Sequence, residues 1–243
     1  MEFIGITALI DAGISLVAWI FLYMRKSNMT GVSDKANALS SYLLATFAFL
    51  VLIGLSILQF QGQGQAVMLM ISDLMLWVSL VLFIKLMHVG GDKKNQGVLI
   101  SIFLVFALCR TLFQLAGILG MDLSSLGSSL TYVLSQLDAW LMYAVWVPSA
   151  IALIALSLRS ESAVVRSRSL MFAIGILLIT FTWAYRLLGG ADAPRELAFV
   201  LVSGVSIIGF VLLLTGVLHR GENAPAMATP SPSPMGGAPM GQM

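Results

Sequence analysis

Residues 38–60 and 66–88 read ALSSYLLATFAFLVLIGLSILQF and AVMLMISDLMLWVSLVLFIKLMH, and only QGQGQ, residues 61–65, lies between them. Each stretch is long enough to cross a bilayer as an α-helix, since about 17–25 apolar residues suffice. The short connection leaves room only for an antiparallel helical hairpin. This pair of stretches therefore predicts a membrane protein built from helices that cross the bilayer in alternating directions.

The composition of the whole chain excludes an ordinary soluble domain. Of its 243 residues, 59% are hydrophobic and 10% are charged, whereas soluble domains hold roughly 45–50% and 25%. The mean hydropathy is +0.97, too high for a chain that must cover its outer surface with polar side chains. The net charge of +2, without any basic run, excludes a nucleic-acid binder.

Seven stretches have the length and hydropathy of a membrane-spanning helix, so the expected fold is an all-α, seven-transmembrane-helix bundle over residues 1–220. After the last span, residues 221–243 hold five of the seven prolines and are expected to form a disordered, Pro/Gly/Met-rich tail. The predicted spans are approximately 3–24, 38–60, 66–88, 98–119, 130–158, 170–188 and 197–218.

The distribution of Lys and Arg predicts the orientation of the bundle. Ten of the 13 fall on one side of the predicted spans, which by the positive-inside rule puts the amino terminus outside and the carboxyl terminus in the cytoplasm. The expected location is a cell membrane, of the bacterial inner-membrane kind. The ten are Arg25, Lys26, Lys35, Lys85, Lys93, Lys94, Arg159, Arg166, Arg168 and Arg220.

Four charged residues lie deep inside predicted spans, where each costs roughly 2.5–3.5 kcal/mol on insertion scales. Counted from the outer ends, the depths are roughly 12 Å for Asp11, 10 Å for Asp73, 15 Å for Arg110 and 12 Å for Asp138. Because four different helices supply them, the bundle is expected to gather them into one polar intramembrane cluster. Arg110 is expected to pair bidentately with a carboxylate of the third or fifth span.

Polar and aromatic side chains near the outer ends of the spans predict an outward-facing pocket around this cluster. Pro148 is expected to kink the fifth span and is a candidate hinge. Arg186 also fits a side chain that anchors its helix at the membrane surface. The expected lining residues are Gln114, Gln136, Tyr132, Tyr143, Trp140, Tyr185 and Arg186.

The sequence lacks the motifs of membrane enzymes and of cofactor proteins. The last span contains no lysine for a retinal Schiff base, and both histidines, His88 and His219, lie at span ends rather than where axial haem ligands would sit. No zinc, nucleophile-elbow or P-loop motif occurs, and Cys109 is the one cysteine. We therefore expect a protein that is not an enzyme and has no cofactor and no metal.

The layout resembles the seven-helix membrane sensor region of bacterial histidine kinases and diguanylate cyclases. The similar features are a basic stretch after the first helix (YMRKSN), the end of the fifth helix (LSLRSESAVVRSRSL) and the end of the sixth (WAYRLLGG). The resemblance covers about residues 1–220 and implies a signalling role. Since no effector domain follows the seventh span in this chain, such a role would require a separate partner.

Three functions stay open for the polar cluster and the bundle. The first is a non-enzymatic sensor or receptor-like module that acts through a cytoplasmic or membrane protein partner. The second is a structural or accessory subunit of a membrane complex, in which the cluster only specifies helix packing. The third is a small transporter or proton pathway, although the inner halves of the spans hold no buried acid to relay a proton. The oligomeric state is not predicted.

Overall fold

A computed structural model describes residues 2–27, 34–87, 93–121, 127–187 and 195–218, and within these ranges the chain is helical apart from short connections. The predicted tail at 221–243 lies outside the described residues. The helices are α1 (Glu2–Ser27), α2 (Asp34–Gln59), α3 (Gly62–Met87), α4 (Lys93–Ile118), α5 (Ser128–Ser135), α6 (Leu137–Arg159), α7 (Ala163–Leu187) and α8 (Arg195–Leu218).

Six of these helices are long and apolar enough to cross a membrane, which confirms the prediction of a multi-pass, all-α membrane protein. The span predicted at 197–218 falls on α8, whose side chains are described over Ser203–Leu218. The six candidate spans are Ile4–Met24, Ala36–Gln59, Gly62–Met87, Gln96–Ile118, Ala139–Arg159 and Ala163–Thr182.

The predicted fifth span, 130–158, is not one continuous helix. It is divided at Gln136, which lies between α5 and α6 with φ −101° and ψ 3°. The Gln136 N–H donates to the carbonyl oxygens of both Tyr132 (3.1 Å) and Val133 (3.2 Å), which is a tightened, 3₁₀-like end to α5. Pro148, by contrast, lies inside α6, which continues through it. Its role as a hinge stays a prediction.

Six helices form a ring in the order α1, α2, α3, α6, α7 and α8, and α8 returns to α1. The contact between α3 and α6 is the slightest of the six and is smaller than that between α3 and α4. The α4 helix lies outside this ring, against α3, and also touches α5 and α6. Only 11% of the apolar stretch of α4 is buried, against 22–39% for the other five candidate spans. Most of the surface of α4 therefore faces outward.

Two pairs of glycines set the spacing between neighbouring helices of the ring. A Cβ atom added at Gly5 of α1 would lie 3.2 Å from the carbonyl oxygen of Gly54 in α2. A Cβ atom added at Gly175 of α7 would lie 2.8 Å from the carbonyl oxygen of Gly209 in α8. Small residues at such crossings let two backbones approach closely, and helices in lipid depend on this packing.

Replacement of Gly209 by Ala should destabilise the bundle, because the new Cβ would lie 2.8 Å from Ile179 Cγ1 and 3.0 Å from the Gly175 carbonyl oxygen. The expected cost is about 1–3 kcal/mol, as for overpacking in a core. Gly204→Ala on the same helix is the control, since nothing lies within 4 Å of its added Cβ. Thermal unfolding in detergent measures both, and equal midpoints for the two variants would contradict the close crossing.

Candidate functional site

A charged and polar cluster joins α3 to α4. Nη2 of Arg110 lies 3.8 Å from Oδ2 of Asp73, and the two side chains are 14% and 15% exposed. Nε2 of Gln114 donates a hydrogen bond to the same carboxylate oxygen. Arg110 and Gln114 are four residues apart on α4, so both reach one partner on α3. We call Asp73, Arg110 and Gln114 the α3–α4 cluster.

The ion pair of this cluster offsets the cost of placing two charges in the membrane. Either charge alone is unfavourable there, and intramembrane charges accordingly pair with one another. Arg110 Nη2 faces a carboxylate of the third predicted span, one of the two spans expected to supply its partner, and the parallel two-bond geometry stays a prediction.

A cleft of about 480 Å³ lies beside the cluster, between the start of α3 and the end of α4. Gln114 belongs to both the cluster and the cleft. Its Oε1 is buried and accepts no hydrogen bond from the described residues. The lining residues are Gly62, Gln63, Ala66, Leu69, Gln114, Gly117, Ile118 and Gly120.

The second polar site lies between the first and last helices of the ring. Asp11 of α1 is fully buried and accepts a 2.6 Å hydrogen bond from the hydroxyl of Ser206 in α8. Thr7 and Ser15 lie one turn to either side of Asp11 and are buried, as is Ser203 on α8. We call these five residues the α1–α8 seam.

Three of the four charged residues predicted to share one layer thus lie at two separate interfaces. Within the described ranges, neither α1 nor α8 contacts α3 or α4. Asp11 therefore belongs to the seam, while Asp73 and Arg110 belong to the α3–α4 cluster. Asp138 lies in the first turn of α6, and its side chain is outside the described part of the structure.

Of the predicted lining residues with described side chains, Gln114 alone borders the cleft. Tyr132 and Trp140 are 60% and 52% exposed, as is usual for aromatic residues that face lipid or its interface. Tyr143 and Gln136 are half-buried. The side chains of Tyr185 and Arg186 lie outside the described residues.

Two contributors to these sites were not expected from the sequence. Ser206 is one of two serines in the last predicted span, and nothing in its sequence neighbourhood distinguishes it from a serine that bonds its own helix. Gln63 lies in the QGQGQ connection, which indicated a turn rather than a site. The presence of three glutamines and two glycines there was the available signal for a polar cleft wall.

Comparison with known protein families, with curated proteins and with solved structures found no match to this chain. The function must therefore be argued from the fold, the α3–α4 cluster and the α1–α8 seam.

The Asp73 and Arg110 side chains should show a coupling in stability. Asp73→Asn and Arg110→Gln each leave the partner charge without compensation in a medium of low dielectric constant. The double variant removes both charges, so its loss should be smaller than the sum of the single losses by about 0.5–2 kcal/mol. Reversible unfolding in lipid–detergent micelles measures the three variants, and strictly additive losses would contradict the pairing.

Ser206→Ala should lower the free energy of unfolding, because the buried Asp11 carboxyl then loses a donor from the neighbouring helix. The expected loss is about 1 kcal/mol, in the range measured for hydrogen bonds between membrane helices. Ser56→Ala is the matched control: Ser56 is equally buried, but its hydroxyl bonds the Ile53 carbonyl of its own helix. If both variants lose the same stability in micelles, the bond across α1 and α8 contributes nothing.

Proposed function

We propose that the protein is a non-enzymatic receptor or sensor of the membrane, in which a ligand at the cleft opens the α3–α4 cluster and moves α4 relative to the ring. The observation that carries this proposal is the combination of a polar connection with a helix that is otherwise nearly unburied. A change in three side chains then alters the position of a whole helix. A partner protein, in the membrane or the cytoplasm, reads that position.

The apolar contacts that hold α4 are few. Along its described length, Phe103 and Ala107 are the fully buried apolar residues. The Phe103 ring packs against Trp77 of α3 with the ring centroids 4.9 Å apart. Once the cluster opens, this contact remains as the main apolar anchor to α3. A ligand therefore needs only a modest difference in affinity between the docked and displaced states to shift their populations.

The chemistry of the cluster indicates the class of ligand. Asp73 is an acceptor for cations, and Gln114 presents a buried acceptor oxygen at the cleft. A guanidinium or primary ammonium group competes with Arg110 for the carboxylate and donates to the amide oxygen as well. We infer that the ligand is a small cation of this type.

The orientation and span count belong to the same proposal. With α8 as a seventh span, the amino terminus lies outside, the carboxyl terminus lies in the cytoplasm, and the cleft opens to the outside of a bacterial inner membrane. The positive-inside rule supports this orientation. Lys85 at the end of α3, Arg159 at the end of α6 and Arg166 near the start of α7 are exposed at the end that becomes cytoplasmic.

A structural or accessory subunit is the second candidate, and the exposed apolar surface of α4 favours it. Such a surface is suited to a fixed neighbour in a complex as well as to lipid. The two candidates differ in how α4 responds to a ligand. In an accessory subunit, α4 stays in one position whatever small molecule is added. The residues of this surface include Val98, Leu99, Ile102, Leu104, Val105, Phe106, Leu108 and Leu112.

A fluorophore on Cys109 tests the receptor proposal directly, because Cys109 is exposed on α4 and is the one cysteine of the chain. In nanodiscs, butylguanidinium should change the fluorescence anisotropy in a saturable way, while butanol at the same concentration should not. Gln114→Leu should weaken the response at least tenfold. No response to the cation in the wild-type chain would overturn the receptor proposal and leave the accessory subunit.

Reporter fusions in a bacterial host test the orientation. Alkaline phosphatase fused after Gln63 should be active, since that connection is expected outside. The same enzyme fused after Ser160 or after residue 243 should be inactive, and fluorescent protein at those two positions should fluoresce. The reverse pattern would put the cleft on the cytoplasmic side.

A further inference from the structure

A cavity of about 260 Å³ lies inside the ring, at the end of α3 opposite to the cleft. The helices α2, α3, α6, α7 and α8 all contribute to its wall. The residues that matter for what it binds are Leu39, Tyr42, Phe83, Leu156, Ile176 and Leu213.

The cavity separates helices that do not otherwise meet. Among the described residues, α2 contacts neither α7 nor α8, and α6 does not contact α8. The wall is apolar except for Tyr42, so water gains no partners there and such a cavity stays dry. An empty cavity also forfeits the dispersion contacts of its lining atoms. The bundle is therefore most stable with an apolar group inside.

The one polar side chain of the wall is already engaged. Tyr42 shares a side-chain hydrogen bond with Thr46, and the Thr46 hydroxyl in turn lies 2.9 Å from the Ser79 hydroxyl of α3. The Tyr42 ring packs on Phe83 with centroids 5.0 Å apart. Because the Tyr42 hydroxyl is bonded within its own helix, a group that enters the cavity contacts only apolar atoms along its inserted length.

The lining of the cavity includes an exposed residue of α6 as well as buried ones. Leu156 lines the cavity and is 49% exposed, whereas Leu213 and Ile176, deeper in the wall, are 4% and 3% exposed. Leu156 belongs to the candidate membrane span Ala139–Arg159 of α6, where the surrounding medium is lipid. Acyl chains are the apolar groups that this medium supplies.

We propose that the cavity binds the end of a lipid acyl chain, which inserts beside Leu156 and fills the space between α2, α3, α6, α7 and α8. An apolar cavity of about 150 Å³ holds one benzene, so the roughly 260 Å³ available here takes about ten carbons. The bound chain connects helices from opposite sides of the ring. This site is separate from the cleft and does not depend on the proposed receptor function.

A photoreactive phospholipid tests the proposal. The full-length chain is placed in nanodiscs that contain a phosphatidylethanolamine with a diazirine near the end of one acyl chain, and adducts are mapped after illumination. Adducts are expected at Phe83, Ile176 and Leu213, although all three are hidden from bulk lipid. Val105 of α4, which is 60% exposed, reports the labelling of an ordinary lipid-facing residue. If Val105 of the wild-type protein is labelled but none of the three cavity residues carries an adduct, the proposal is overturned, and no variant is needed for this result.

A pair of tryptophan variants distinguishes the cavity from its surroundings. Leu213→Trp fills the cavity and should reduce adducts at Phe83 and Ile176 at least fivefold. Val211→Trp, on the same helix but 43% exposed, adds the same side chain on the outside and should leave those adducts unchanged. Equal reduction by both variants overturns the proposal. The proposal is also overturned if a branched isoprenoid probe labels the cavity residues more strongly than the straight acyl chain does.

Discussion

The hydrogen bond from Ser206 to Asp11 joins the first and last long helices of the chain, across 195 residues of sequence. Helices in lipid gain little from the hydrophobic effect, since the surroundings are as apolar as their side chains, so close packing and polar bonds hold them together. The α1–α8 seam supplies the polar bond at the closure of the ring. The glycine crossings Gly5–Gly54 and Gly175–Gly209 supply the close packing on its two sides.

Closure of the ring leaves α4 as an added helix outside it. The ring helices share buried residues on several faces, whereas α4 meets α3 through Phe103 and the α3–α4 cluster. The charged pair of the α3–α4 cluster holds a peripheral helix, whereas the Asp11 carboxyl of the α1–α8 seam is buried inside the ring. Removal of the two should therefore have different structural effects. Under the proposed function, loss of the first is expected to move one helix and loss of the second to weaken the ring.

Hydropathy alone predicts the helical class, because an apolar stretch in lipid must satisfy its backbone internally. The depths of Asp73 and Arg110 also made them candidates for one site. The rotation of each helix about its own axis was not predictable from the sequence. Where a helix is apolar all round, as α3 is, the residue pattern does not show which face turns toward the other helices. For that reason Ser206 was not expected as the partner of Asp11, and Trp140 was expected in a pocket. The break at Gln136 was missed because neither Pro nor Gly marks it.

The central claim is that the α3–α4 cluster holds a separable helix against a closed ring. Electron paramagnetic resonance measures this as the distribution of distances between spin labels on Cys109 of α4 and on a cysteine replacing Leu44, an exposed residue of α2. The account predicts one narrow distribution in the wild-type background and a broadened or displaced one in Asp73→Asn. Labels at positions 44 and 211, with Cys109 replaced by Ser, should give the same distribution in both backgrounds. An unchanged distance from Cys109 in Asp73→Asn would contradict the account.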